Sequence, residues 1–341
     1  MAIRRRAGAH RRGSPARGPA QPDETGRPRG DDARVAGCGL PRERGARGTA
    51  AATPPPAFDA ELARAHLDDW LAQPRALGDP RRAESIARLV ATLAAMGVTP
   101  ERVDHVADDP SGTGSYALTE IVADFHPDAA RRFVLATHYD VRPWADEDPD
   151  PANHARPIPG ANDGTSGLAV VLALVPPLLA ALPPDVGVSV VLFDGEELGR
   201  PDAGGYCMGS RHLAERIRQG LHPTLARAEL GIVLDMVGDA DLRLRIEPNS
   251  ATFHPALARA LWDTAAALGE PAFSPDASGP GIVDDHQFLT AAGIPSVLVI
   301  DREYVAWHRV DDDAQHVATA SLASVGRVVL ATLLRWFAPP R

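Results

Sequence analysis

Lysine is absent from the 341 residues, so all 35 basic side chains are arginine, a matter of residue usage rather than chemistry. Cysteine is nearly absent. Cys38 sits near the N-terminus and Cys207 is the sole thiol of the rest of the chain, which excludes a disulfide framework. A basic face is missing as well. The formal charge is −10; residues 1–57 hold 12 Arg against 5 Asp or Glu, a balance of +7, which leaves −17 for the remainder. A body that acidic speaks against nucleic acid as a partner, because phosphate contacts need positive charge. It suits divalent cations and peptide amino groups.

An apolar export segment is also missing. "RRRAGAHRRG" supplies positive charge, and "VAGC" (35–38) has the pattern of a bacterial lipoprotein cleavage box. The stretch of about 7–15 apolar residues that a signal needs is replaced by "RPRGDDAR". Residues 1–55, rich in Arg, Gly, Pro and Ala, cannot repay the entropy of ordering and are expected to be disordered. "TPPPA" (53–57) marks the border, so the chain reads as a tail of residues 1–55 and one globular domain of residues 56–341.

What is present is an alternation of helical and strand-like patterns. "AFDAELARAHLDDWLAQ" and "RRAESIARLVATLAAMG" read as amphipathic helices, the second with Ile86, Leu89, Val90 and Leu93 on one face and Gly97 as its stop. "RFVLAT" (132–137), "VGVSVVLF" (186–193), "GIVLD" (231–235) and "PSVLVI" (295–300) lack polar alternation, the mark of strands buried under helices. Helices are expected over 164–181, 209–219, 254–268, 284–292 and 317–337. Gly167–Leu182 is long and apolar, but Pro176 and Pro177 inside it, with α/β pattern on both sides, make it a core helix rather than a membrane span.

Metal-type residues follow the strands. The first ends at His138 and Asp140 in "THYD", and the second leads to Glu196 and Glu197 in "FDGEE". The third ends on Asp235, and the last leads to Trp307 and His308 in "WHRVDDD". Open α/β sheets bind ligands beyond the carboxyl ends of their strands, and imidazole with carboxylate is a zinc ligand set. Asp163, at the seam of "IPGANDGTSGLAVVLAL" (158–174), begins the helix between two of these strands. Each residue alone has a plain structural role; an Asx turn would account for Asp163. Their convergence on one edge points to a metal site. His66, His105, His126, His154, His222 and His254 lack such a context and are read as structural or solvated.

The order "HYD … GANDGTSG … FDGEE … LDMVGD … DDH … WH" resembles the zinc aminopeptidases of peptidase clan MH and their relatives the glutaminyl-peptide cyclotransferases, over roughly residues 75–337. The resemblance implies a three-layer α/β/α sandwich around a central mixed, mostly parallel sheet, with zinc as cofactor and peptide or protein N-termini as substrate. It implies that positions matching His138, Asp163 and Asp235 hold one zinc of a dinuclear aminopeptidase, and those matching Asp163, Glu197 and His308 the other. Glu196 matches the general base, and Asp140 a partner that orients His138.

Within that superfamily the bacterial cyclases of the animal type are the nearer likeness. "VDDH" (283–286) places Asp284 where cyclases carry a carboxylate networked with the positions of Glu196 and Asp235. Such proton sharing would draw Asp235 away from a second metal and leave one zinc at Asp163, Glu197 and His308. Trp307 matches the indole that lines the cyclase pocket. The loop 142–163 and "GYCMGSRHLA" (205–214) match too, with Arg211 and His212 read as structural. The stretch "LGRPDAGGYC" departs from the resemblance, without the aromatic residue that animal cyclases carry there. The expectation is therefore a single-zinc cyclase. The alternative is an aminopeptidase with one or two zinc ions. A non-catalytic binding module is more remote, since neither ligand nor base is missing. The resemblance implies a periplasmic, secreted or lipoprotein location, whereas the absent signal implies the cytoplasm.

Overall fold

The computed structural model describes residues 57–339 except 113, 201–202 and 278, so the tail of residues 1–55 and its VAGC box lie outside the described residues. Two helices open the chain, α1 (Ala60–Leu71) and α2 (Arg82–Ala95), and a hairpin follows, β1 (Glu101–Asp108) and β2 (Ser115–Phe125). Strand and helix then alternate as β3 (Arg131–His138), α3 (Thr165–Ala181), β4 (Val186–Phe193), α4 (Met208–Arg218) and β5 (Leu230–Asp235). The last third holds β6 (Leu244–Ile246), α5 (Pro248–Phe253), α6 (Pro255–Leu268), β7 (Phe273–Ala277), α7 (Asp285–Ala291), β8 (Ser296–Ile300) and α8 (Thr319–Trp336).

The main sheet has the order β1-β2-β4-β3-β5-β8. Strands β4, β3, β5 and β8 are parallel neighbours, with β8 at the far edge, while β1 and β2 run antiparallel along the other. Successive residues of each inner strand enter opposite cores. Phe133 and Leu135 pack with α1, α3 and α8, while Val134 and Ala136 pack with Leu213 and Ile217 of α4 and Leu289 of α7. Helices on both faces of a mixed, mostly parallel sheet make the expected sandwich, and the absence of polar alternation in these strands follows from that double cover.

The expected inner strands and helices fall within two residues of β3, β4, β5, β8, α3, α4, α7 and α8. The expected helix over 254–268 is preceded by a separate short helix, α5, because His254 leaves helical geometry (φ −144°) and its side chain caps α6. The hairpin β1–β2 and the pair β6–β7 went unread. The burial pattern of β1, "ERVDHVAD", buries only Val103 and Ala107 and leaves Asp104 and Val106 exposed between them. A half-exposed edge strand of that kind carries little apolar signal. Pro176 and Pro177 lie inside α3, whose first eleven residues are fully buried, and among the described residues no helix is long and apolar enough to cross a membrane.

Candidate functional site

The carboxyl edge of the parallel strands collects the chemistry. His138 is the last residue of β3 and Asp235 the last of β5. Glu196 and Glu197 follow β4 on one short 3-10 turn, and His308 comes eight residues after β8. Asp163 sits two residues before α3 rather than within it. Gly164 precedes the helix at φ +84°, and a side chain there would strike the Asp140 carbonyl at 2.8 Å and the His138 ring at 2.9 Å. Glycine is therefore what lets the start of α3 close onto the end of β3.

His138 Nε2 lies 3.1 Å from Asp235 Oδ1 and 3.3 Å from Asp163 Oδ1. His308 Nε2 lies 3.4 Å from Glu197 Oε2 and 3.9 Å from Asp163 Oδ2. Ligand atoms of His138, Asp163 and Glu197 fall within 4.8 Å of one another. All are buried, and Asp163 Oδ2 has no hydrogen-bond partner among the described residues. A buried carboxylate oxygen left without a donor, facing two imidazoles and two more carboxylates, is a donor set that fits a divalent cation such as zinc. The residues expected at a metal centre are thus brought together, the first set and the second alike.

Protonation follows the same crowding. Burial, and then the Glu197 charge, raise Asp163 and Glu196 well above the ordinary carboxylate range. Burial raises Asp235 also, against the pull of His138. Burial opposes the charge on His308, yet Glu197 and Asp146 raise it to about 9. Against its own burial, Glu197 is held below the usual range by His308 and Arg142. So many acids in one low-dielectric pocket hold protons that a cation would displace.

Behind these groups stands a set of partners that the sequence reading did not single out. Asp146 Oδ1 faces His308 Nδ1 at 3.4 Å and accepts from Arg142 Nε at 2.7 Å. Arg142 also donates to the Glu197 carbonyl at 3.0 Å and approaches its carboxylate at 3.4 Å. Asp312 accepts from the amides of Asn162 (2.8 Å) and Asp163 (3.1 Å) and from the Tyr304 hydroxyl (2.6 Å), which holds the loop that presents Asp163. Asp140, the expected partner of His138, stands 3.5 Å from Nδ1 and also accepts from the Glu197 amide at 3.2 Å. Cys207 donates from Sγ to Glu196 Oε1 at 3.1 Å. The only sequence signal for any of these was the acidic density of "WADEDPD" and "VDDD".

A cavity of about 500 Å³ opens onto the group, lined by Glu196, Asp235, Asp284, Met236, Tyr304 and Trp307 among others. The Trp307 indole stacks on the His308 ring at 3.7 Å and is 40% exposed, so its other face is open to the cavity. Two of the four non-glycine residues with positive φ among the described residues line this pocket, Met236 (46°) and His308 (56°), and a third, Cys207 (58°), holds Glu196 from behind. Backbone strain of that kind gathers where surrounding packing dictates the position of a working group.

Comparison with known proteins gives one consistent picture. A model of peptidase family M28 matches residues 120–333. The glutaminyl-peptide cyclotransferase of Bos taurus is 26% identical over 257 residues, 65% of this chain and 67% of that protein. Among solved structures, the glutaminyl cyclase of Fimbriiglobus ruber is 30% identical with a TM-score of 0.75, covering 81% of this chain and 95% of that one. A Zn-dependent exopeptidase from Parabacteroides distasonis is 27% identical with a TM-score of 0.74, covering 84% and 100%.

Proposed function

Because the chain belongs to peptidase family M28, we propose that it is a zinc enzyme of peptide N-termini whose reaction closes an N-terminal glutamine into pyroglutamate and releases ammonia. The observation that carries the reading is the third carboxylate, Asp284, which lines the cavity beside Glu196 and Asp235, together with the Trp307 indole. Three acids suit a substrate that presents a free amino group, and the indole offers an apolar wall for the small ring that forms.

Asp163, Glu197 and His308 would hold the ion, and His138 with Asp235 would complete a second position. Zinc bound there supplies a Lewis acid that favours negative charge on the side-chain amide oxygen of the substrate. The remaining work falls to residues of this chain. Glu196, buried and with a high proton affinity, takes a proton from the neutral α-amine as its nitrogen attacks Cδ of the glutamine side chain. The bond from nitrogen to Cδ forms, the bond from Cδ to Nε breaks, and Glu196 returns the proton to the departing ammonia. No water is consumed. Arg142 and Asp146 orient Glu197 and His308 from behind.

A hydrolytic reading is supported by one specific observation. His138 stands 3.1 Å from Asp235 and 3.3 Å from Asp163, so a complete second ligand set is present. Glu196 would then take the proton of an attacking water, and the first amino acid would be released. The full-length chain with added zinc, given one peptide beginning with glutamine and another beginning with leucine, separates the two by mass spectrometry. Loss of ammonia from the glutamine peptide alone supports the cyclase, and release of a first residue from either peptide refutes it. For the ion count, His308→Ala is expected to abolish zinc binding in the pocket while His138→Ala leaves much of it; equal loss in elemental analysis would establish a dinuclear centre.

A further inference from the structure

Away from the pocket, a second group of metal-type side chains meets where the antiparallel edge of the sheet packs against α4. His105 comes from β1, Glu120 from β2 and His212 from α4. His105 Nδ1 lies 3.3 Å from Glu120 Oε2, and the His105 and His212 rings stack at 3.9 Å with 6° between their planes. One ligand atom from each of the three lies within 4.8 Å of the others.

Their polar atoms are unclaimed. Both oxygens of Glu120, both ring nitrogens of His105 and Nε2 of His212 are buried and find no hydrogen-bond partner among the described residues. A fully buried carboxylate with no donor is costly, and two imidazoles pressed against it make the cost deliberate rather than incidental. The backbone is shaped to the same contact. A side chain at Gly209, on the first turn of α4, would meet Glu120 Oε1 at 2.5 Å.

We propose that His105, Glu120 and His212 form a second metal site, which takes a divalent ion of zinc's type and ties the β1–β2 edge to α4. Two imidazole nitrogens and one carboxylate oxygen are a donor set zinc accepts, with a fourth position left for water. The 3.3 Å between His105 and Glu120 already equals the ligand-to-ligand spacing of a tetrahedral shell with bonds of about 2.0–2.1 Å. Only His212 has to close in, by turning its ring out of the stack. Access exists, since His105 also lines a surface groove of about 700 Å³. Among the charges around the cluster, Asp194 and Asp104 favour a cation and Arg216 opposes it.

The ion would act at a distance from the reaction. The amides of Cys207 and Met208 at the start of α4 donate to the carbonyls of Glu196 and Gly195, so the helix that carries His212 also anchors the turn that carries the base. A clip on α4 stiffens that anchor without touching substrate.

The test counts ions on the full-length chain. Protein stripped with a chelator is titrated with zinc alone, and bound metal is read by native mass spectrometry for the parent, Glu120→Gln and His212→Ala. The parent is expected to hold one ion more than either variant, with both variants keeping the ions of the pocket; equal counts in all three overturn the site. Should a variant fail to fold, parent crystals soaked in zinc decide by anomalous diffraction at the zinc edge. A peak between His105, Glu120 and His212 supports the proposal, and a crystal with zinc in the pocket but none between these three refutes it.

Discussion

Two clusters of histidine and carboxylate lie on this sheet, and they differ in what stands behind them. At the carboxyl edge, His308 is backed by Asp146, Glu197 by Arg142, and the Asp163 loop by Asp312. At the antiparallel edge, both oxygens of Glu120, both ring nitrogens of His105 and Nε2 of His212 have no hydrogen-bonded partner among the described residues. The donor types are alike. Outer partners fix a ligand's orientation and proton state, and a centre that must bring a substrate to a defined geometry needs them. A clip that only joins two elements does not. The contrast accords with the chemistry proposed for the first cluster and the cohesion proposed for the second.

The comparison breaks most visibly at Glu196. Glu196→Gln is expected to lower turnover by about 10²–10⁴-fold while zinc content stays that of the parent. Steady-state rates and elemental analysis check both halves, and undiminished turnover would remove Glu196 from its role. Next comes the backing itself. Asp146→Asn weakens the grip on Arg142 and His308, and zinc affinity should fall about 10–100-fold in a chelator competition.

A smaller effect sharpens the contrast in stability. Asp312→Ala leaves the buried amides of Asn162 and Asp163 and the Tyr304 hydroxyl without their acceptor. An unmet buried group costs about 1–3 kcal/mol, so the denaturant midpoint of metal-free protein should drop clearly. Glu120→Gln in the same metal-free assay should move it less, because no hydrogen bond is broken there.

The smallest effect is a pH dependence at a third pair, Glu247 with His286, 3.2 Å apart. Burial opposes the His286 charge, but Asp284 and Glu247 raise it from 6.5 to about 9. Its stabilisation is therefore complete below pH 6.5 and lost as pH rises through about 9. Glu247, despite its burial, is lowered from 4.5 to about 2 by His286 and the amides of Asn249 and Ser250. Its share is present above pH 4.5 and lost as pH falls through about 2. Urea midpoints of the parent and Glu247→Gln should differ most between these limits, near pH 5–6, and differ less above pH 9, where only the cap to Asn249 and Ser250 remains. A gap that does not change with pH would show that Glu247 acts only as a cap of α5.

Much of the site was legible because it is written at strand ends. His138, Glu196, Glu197 and Asp235 follow runs whose unbroken apolar character identifies inner strands, and strand ends of one parallel group share an edge. His308 and Asp163 were read from their place at the same edge, and only Asp284 and the pocket role of Trp307 followed from resemblance; the fold brings all four to one pocket. The backing residues were not legible. Asp312 meets Asp163 across 149 positions and Arg142 meets Glu197 across 55, and nothing local in "VDDD" or "VRPW" marks the partner. His105 and His212 read as structural for the same reason, since each is an ordinary residue of an edge strand or a helix until Glu120 is placed between them.

By itself the sequence determined the periodic pattern, hence which segments are inner strands and covering helices, and which chemistry stands at their ends. Backbone sterics and hydrophobic burial act over a few residues and leave their record there. Tertiary structure alone decided which acids share a pocket, which of them keep protons, and which imidazoles meet a buried carboxylate. Those outcomes depend on distances of 3–4 Å between groups far apart along the chain, and in a dry interior such distances set the electrostatic energy.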